Sequence, residues 1–150
     1  MKIILDINKR AANPISGEFL EKVVRETIKV SGLGFLNKKE INVSLAFLDA
    51  REIKKINKIY RRKNSSTDIL SFANYRDKKA LSREKNKTIY LGELLADYEY
   101  IKKSAKLNEV GANVELVCVI SHGILHLLGM KHSQKMFALQ DKIIKVKKNG

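Results

Sequence analysis

The chain predicts a single α+β domain over residues 1–150, a small mixed β-sheet with helices packed on it. Three observations carry that expectation. Segments whose apolar residues alternate with period two are interspersed with segments whose apolar residues recur at helical spacing. No Pro/Gly/Ser-rich linker and no internal repeat divides the 150 residues, a length at which one hydrophobic core normally serves. The order of strand and helix runs suits α+β or a mixed-sheet α/β arrangement, with one layer of helices on one sheet.

The elements follow in order. Ile3 to Ile7 alternates as a short strand, and Pro14 lies in the connection after it. Ser16 caps a helix whose apolar positions Phe19, Leu20, Val23, Val24 and Ile28 fall on one face; Gly32 and Gly34 end it. Residues 41–48 alternate as a second strand. Asp49 with Glu52 reads as a capping box, and Ile53, Ile56, Ile59 and Tyr60 mark the expected buried stripe of the next helix. Asp68 to Tyr75 reads as a strand. Residues 76–87 are charged and poor in apolar side chains, which predicts a loop. Thr88 to Leu95 is the last strand, and Asp97 to Leu107 a helix. Asn113 to Leu128 is the most apolar helix, and Ser133 to Lys148 a basic one.

Composition narrows the class. No apolar stretch reaches the ~18 residues of a transmembrane helix, and no signal-peptide core follows the charged start Met-Lys-Ile-Ile-Leu-Asp. The single Cys118 excludes an internal disulfide framework and fits a reducing compartment. The expected location is therefore the cytoplasm. The formal net charge is +14. Such an excess can serve solubility or reflect a lysine-rich genome, but it favours a polyanionic partner, nucleic acid above all, because clustered Lys and Arg gain affinity by releasing counterions from phosphates.

All three histidines lie in one segment, His122-Gly123-Ile124-Leu125-His126-Leu127-Leu128-Gly129-Met130-Lys131-His132. Residues four apart share a helix face about one 5.4 Å turn apart. The imidazoles of His122 and His126 can therefore converge on one cation at about 2.0–2.1 Å. Gly129 sits where the helix should stop, since glycine adopts the left-handed conformation of a helix C-terminus at no steric cost. The chain can then turn and bring His132 from another direction, which leaves a fourth position open. The spacing is similar to that of metzincin zinc peptidases, so the metal helix is expected to be distantly metzincin-like. Those peptidases carry a glutamate base immediately after the first histidine, and here that position is Gly123.

Two neighbours on the helix are candidates for a further ligand or base. Cys118 shares the face, but about 12 Å of helix axis separates it from His126. It is read as a small buried apolar residue, and the site as open. Glu115 is about 10 Å from His122 along the axis. It is read as an acid favoured by the helix N-terminus, with an outer role at the metal as the alternative. A peptidase reading would need Glu93 or Glu115 folded close to the metal. Another reading is a non-catalytic RNA-binding or ribosome-associated factor stapled by zinc.

Three segments resemble the YbeY family of bacterial rRNA-maturation endoribonucleases. The histidine segment is similar to the family's HGxLHLxGYDH. Tyr60-Arg61-Arg62-Lys63-Asn64-Ser65-Ser66-Thr67-Asp68-Ile69-Leu70-Ser71-Phe72 is similar to YRxKDxPTDVLSF, and Leu91-Gly92-Glu93 to LGD. Glu115 also matches, so the likeness runs from about Asn57 onward. Lys131, Asn64 and Ser66 depart from the family's Asp, Asp and Pro. The resemblance implies one zinc ion held by His122, His126 and His132, with His122 and Arg61 at the reaction centre. It implies single-strand-specific cleavage of ribosomal RNA precursors at the small-subunit 3′ end, a role in ribosome quality control, and the ribosome or its proteins as partners. Without the motif, Arg61 reads as one more solvated base among Arg51, Lys54, Lys55, Lys58, Arg62 and Lys63. Thr67 and Asp68 read as a turn before a strand. Lys54, Lys55, Lys58, Arg62 and Lys63 are expected to bind RNA, joined by Lys78, Lys79, Arg83, Lys85 and Lys87 and by Lys142, Lys145, Lys147 and Lys148. Tyr60, Phe72 and Tyr75 are candidates to stack on bases, with core packing preferred for Phe72.

Overall fold

The computed structural model describes residues 1–131, 138 and 141–143. Four strands, β1 (Lys2–Lys9), β2 (Glu40–Phe47), β3 (Ile69–Ala73) and β4 (Thr88–Ala96), form one mixed sheet in the order β1-β2-β4-β3. The β1–β2 and β2–β4 pairs are parallel, whereas β3 runs antiparallel to β4 at the sheet edge. Parallel neighbours need long crossovers. Helix α1 (Gly17–Val30) supplies the first; α2 (Ala50–Arg61), β3 and α3 (Lys78–Ser82) together supply the second. Helices α4 (Tyr98–Leu107) and α5 (Ala112–Leu127) follow the sheet.

Period-two patterning sets the core face. In β2, Ile41, Val43, Leu45 and Phe47 are buried, while Asn42, Ser44 and Ala46 between them are only half-buried. Onto that face packs α1, through Leu20, Val23, Val24 and Ile28, with Ser16 Oγ accepting from the Phe19 amide at 3.2 Å as its cap. Helix α5 is wrapped on nearly all sides. Leu116, Val117, Val119, Ile120, Ile124, Leu125 and Leu127 are all buried, each stabilising the fold by about 1.5–3 kcal/mol. Its apolarity belongs to the core, and no single described helix is long and apolar enough to cross a membrane.

The structure departs from the sequence expectations in three places. Helices cover both faces of the sheet: α2 lies on the far face, where Ile53 packs with Leu48, Leu70 and Leu95. Leu70 and Leu95 are register partners, facing away from the Ser71–Leu94 pair beside them. The expected stripe of α2 ends early, because Ile59 is 64% and Tyr60 68% exposed. The buried position before the last turn of α2 is polar Asn57, whose Nδ2 donates to Ser65 O at 2.9 Å. Residues 76–87 contain α3, capped by Asp77 accepting from the Ala80 amide at 2.8 Å and anchored by buried Leu81. The expected basic helix 133–148 falls outside the described residues except Ala138 and Asp141–Ile143. These are helical, and Ile143 reaches the core.

Candidate active site

Helix α5 crosses the core face beside β3, and Gly123 sits at the crossing. A Cβ there would lie 2.9 Å from Leu94 Cδ2, 3.0 Å from Ile69 Cδ1 and 3.3 Å from Ser71 Oγ. Glycine lets the helix settle onto β3 and β4, and a peptidase-like glutamate at 123 would have to push these side-chain ends aside.

His122 and His126 are half-buried, with their Nε2 atoms 3.0 Å apart. Their ring centroids are 4.5 Å apart and the planes cross at 79°. Two nitrogens bound tetrahedrally to zinc at about 2.0–2.1 Å lie roughly 3.3 Å from one another. The pair therefore fits a shared cation with little adjustment. Among the described residues no third His, Cys, Asp or Glu joins them; His132, the expected third ligand, lies outside those residues.

Helix α5 stops where the sequence places its end. The amides of Gly129 and Met130 donate to His126 O at 2.9 Å and Leu125 O at 3.0 Å, the two bonds of a Schellman turn. Gly129 takes φ +87°, and a Cβ on it would overlap Lys78 N and lie 2.9 Å from Asp77 C. The turn is thus pressed backbone to backbone against the start of α3.

The histidines wall an open cavity of about 430 Å³, whose other walls include Arg61, Lys63, Thr67, Ile69, Ser71 and Ala73. Asp68 O accepts from Asp97 N–H and Asn74 N–H donates to Leu91 O, so the even residues of β3 face β4. The backbone polar groups of Ile69, Ser71 and Ala73 then point to the free edge. Arg61 reaches that edge: its Nη2 donates to Ser71 O at 3.0 Å, and its guanidinium carbon lies 5.9 Å from the Phe72 centroid. Tyr60 meets Phe72 edge-on at 5.4 Å. A guanidinium carries five N–H donors, so one bond to Ser71 leaves the others for a ligand.

Other expected residues sort plainly. Lys54, Lys55, Lys58 and Arg62 are exposed on α2 and its cap, while Lys63 reaches the cavity. Lys78, Lys79, Arg83, Lys85, Lys87 and Lys142 are exposed; Lys145, Lys147 and Lys148 lie outside the described residues. Asp68 Oδ1 accepts from its neighbours Ile69 N at 2.7 Å and Thr67 Oγ1 at 3.3 Å, which is turn-making. Glu93 is the register partner of Phe72 and so lies on the opposite face from the histidines. Glu115 accepts from Asn108 Nδ2 at 3.4 Å in the α4–α5 turn. Neither acid reaches the cavity. Ser71 and Thr67 line it although the sequence reading gave them no role there; their place within the Tyr60–Phe72 segment is the only signal that marked them. Beyond the cavity, burial raises the Tyr75 hydroxyl pKa, with the Glu84 carboxylate adding to it. The Ala80 amide holds the Asp77 carboxyl below its ordinary value, helped by Arg76 and Lys79.

The fold and this cavity define a small α+β domain whose candidate site side chains stand between a core helix and the edge strand of the sheet. The chain belongs to the YbeY family: the family model described as Endoribonuclease YbeY matches residues 6–148. It is 32% identical over 111 residues to an Endoribonuclease YbeY of Prochlorococcus marinus, covering 71% of this chain and 58% of that protein. Against an Endoribonuclease YbeY of Persephonella marina it is 32% identical over 146 residues, covering 91% and 88%. A solution structure from Thermotoga maritima is 22% identical, with TM-score 0.59 over 97% of this chain and 93% of that one, a likeness of fold.

Proposed function

We propose that the chain is a zinc-dependent endoribonuclease specific for single strands. In this reading it acts in the cytoplasm on ribosomal RNA precursors at the small-subunit 3′ end, in contact with the ribosome, and serves ribosome quality control. The carrying observation is the shared cavity: two imidazole nitrogens 3.0 Å apart and a guanidinium anchored on the facing strand edge open onto the same space. Family membership supports the nuclease reading.

His122 and His126 would hold the ion, with His132 the third ligand in this reading. When bound, zinc supplies a Lewis acid for a phosphoryl oxygen and activates water near neutral pH. Arg61 binds phosphate oxygens with the N–H groups that Ser71 leaves open and stabilises charge as it develops there. The outward amides of Ser71 and Ala73 orient the sugar-phosphate chain. A cavity of about 430 Å³ is the size of a small-ligand pocket. It suits one unit of a splayed strand better than a stacked duplex.

The test joins zinc analysis of the purified protein to cleavage of single-stranded and duplex RNA by wild type, His126→Ala and Arg61→Ala. Zinc-loaded wild type should cut the single strand alone. Full cleavage by His126→Ala, or equal cleavage of the duplex, would overturn the reading.

A further inference from the structure

Away from the cavity, the three parallel strands start at one end of the sheet, and each brings lysine there. Lys2 begins β1, Lys38 and Lys39 precede β2, and Lys87 precedes β4. Backbone bonds keep these starts in step: Lys2 N–H donates to Lys39 O at 3.1 Å and Glu40 N–H to Lys87 O at 2.9 Å. With strands about 4.8 Å apart, the lysines form a row across one sheet end. They line an open hollow of about 370 Å³ whose one acid is Glu40. No ion pair among the described residues involves any of the four. Lys39 turns inward, donating to Glu84 O at 3.1 Å and Asn86 O at 2.5 Å, and so ties the approach to β4 onto β2. The hollow on α1 differs: Glu18 and Glu21 share it with Lys22 and Arg25, and Arg25 is paired with Glu21 at 3.1 Å.

The β3–β4 connection joins the lysine row to the cavity. It begins with α3 pressed against the Gly129 turn, three residues beyond His126. It then carries exposed Lys78, Lys79, Arg83 and Lys85 on to Lys87. Its acids are engaged: Asp77 caps α3, and Glu84 lies beside the Tyr75 hydroxyl. Ala73 at the cavity pairs with Gly92, and Lys87 lies five residues back along β4, roughly 16 Å away.

The geometry points to a second RNA-backbone site: Lys2, Lys38 and Lys87 bind phosphates of the strand whose reacting nucleotide occupies the cavity, with residues 78–87 along its path. This rests on the RNA reading of the cavity. Lysine suits the task, a point charge on a flexible stem that meets phosphates in any sequence. Such a site adds affinity for long strands and none for short ones.

The experiment measures equilibrium binding of a labelled 2′-O-methyl oligouridylate, dodecamer against trinucleotide, across salt concentration. Substituting Lys2→Gln, Lys38→Gln and Lys87→Gln together should lower the dodecamer's logarithmic salt slope by about 2, at about 0.7 per lost phosphate contact. Between about 50 and 200 mM salt that removes a roughly twentyfold part of the affinity loss. Trinucleotide binding should not change. A charge-matched control, Lys22→Gln with Lys29→Gln and Lys103→Gln, should keep the wild-type slope. An unchanged slope in the first variant, or equal drops in both, overturns the inference. Cleavage of unmodified RNA is scored separately. A slope drop without wild-type cleavage removes the catalytic reading and keeps the backbone site; cleavage without a slope drop removes the backbone site alone.

Discussion

Replacing Gly129 with alanine should destabilise the protein through two separable effects. The residue has φ +87°, a region that costs an L-residue about 1–2 kcal/mol. The added Cβ would also overlap Lys78 N and crowd Asp77 C at 2.9 Å. Both are backbone atoms that no rotamer change can move, so overpacking adds about 1–3 kcal/mol. Against this, alanine stiffens the unfolded chain, which offsets about 0.4–1 kcal/mol. The clash and strain win, leaving a loss of about 1.5–4 kcal/mol. For a chain of this size the melting temperature should fall by about 3–15 °C, read by circular dichroism with and without zinc. Gly129→Asn separates the causes. Asparagine tolerates the left-handed region, so it would be nearly neutral if φ alone mattered, but it should still lose the clash part. Zinc affinity, read by competition with a chromophoric chelator, should fall in both variants, because the chain between His126 and His132 passes through this turn. Melting within about 1 °C of wild type for both variants would refute the packing argument.

Arg61→Ala should keep its fold, since the side chain is exposed, and lose cleavage by about a hundredfold to a thousandfold; single-turnover rates on single-stranded RNA measure it. His126→Ala should abolish zinc uptake and the rise in melting temperature that zinc gives the wild type, as calorimetry with added zinc would show. Asn57→Ala should cost about 0.5–1.5 kcal/mol in urea unfolding, because the part-buried bond from Asn57 to the Ser65 carbonyl is lost. The Asp77 carboxyl is held below its ordinary value of 3.8, chiefly by the Ala80 amide. Its cap is thus fully present above that value and fades as pH falls through the lowered one. Exchange of the Ala80 amide should quicken there in wild type and show no such step in Asp77→Ala.

How much could be read beforehand depended on whether the deciding contacts were local. Ser16, Asp49 and Asp97 each cap the helix that follows, because capping is settled within four residues. The Gly129 stop is local for the same reason. Ile59 and Tyr60 misled because helical spacing does not say how far a helix stays covered: both are exposed, and Tyr60 meets Phe72 edge-on. Helix α3 was hidden by its charges: one buried Leu81 and one capping Asp77 suffice when Gly129 offers a seat. The His122–His126 pair was legible as geometry on one helix. Arg61 was legible only as a motif, since its anchor Ser71 O lies on a separate strand. Ser71 itself carried no signal of its own, because serine on a strand face is unremarkable until α5 brings histidines beside it.

The missing peptidase base at position 123 has a packing side as well as a chemical one. A side chain there would meet Leu94 and Ile69 at 2.9 and 3.0 Å, so a larger residue would have to push those side-chain ends aside, and glycine suits how closely α5 lies on β3 and β4. The bulge in β4 follows the same rule. Leu91 is the extra residue opposite β2, and Gly92, at φ +140°, leaves no Cβ to overlap Phe72 O. Two glycines thus bring helix, edge strand and β4 into close register, and that closeness sets His122 and His126 against the free edge of β3. Arg61, hydrogen-bonded to Ser71 O and resting on Phe72, closes the space from the other side. The absence of a base at 123 therefore goes with close packing and fits many chemistries. The guanidinium on the strand edge is what supports the proposed reading of this cavity as a phosphate site.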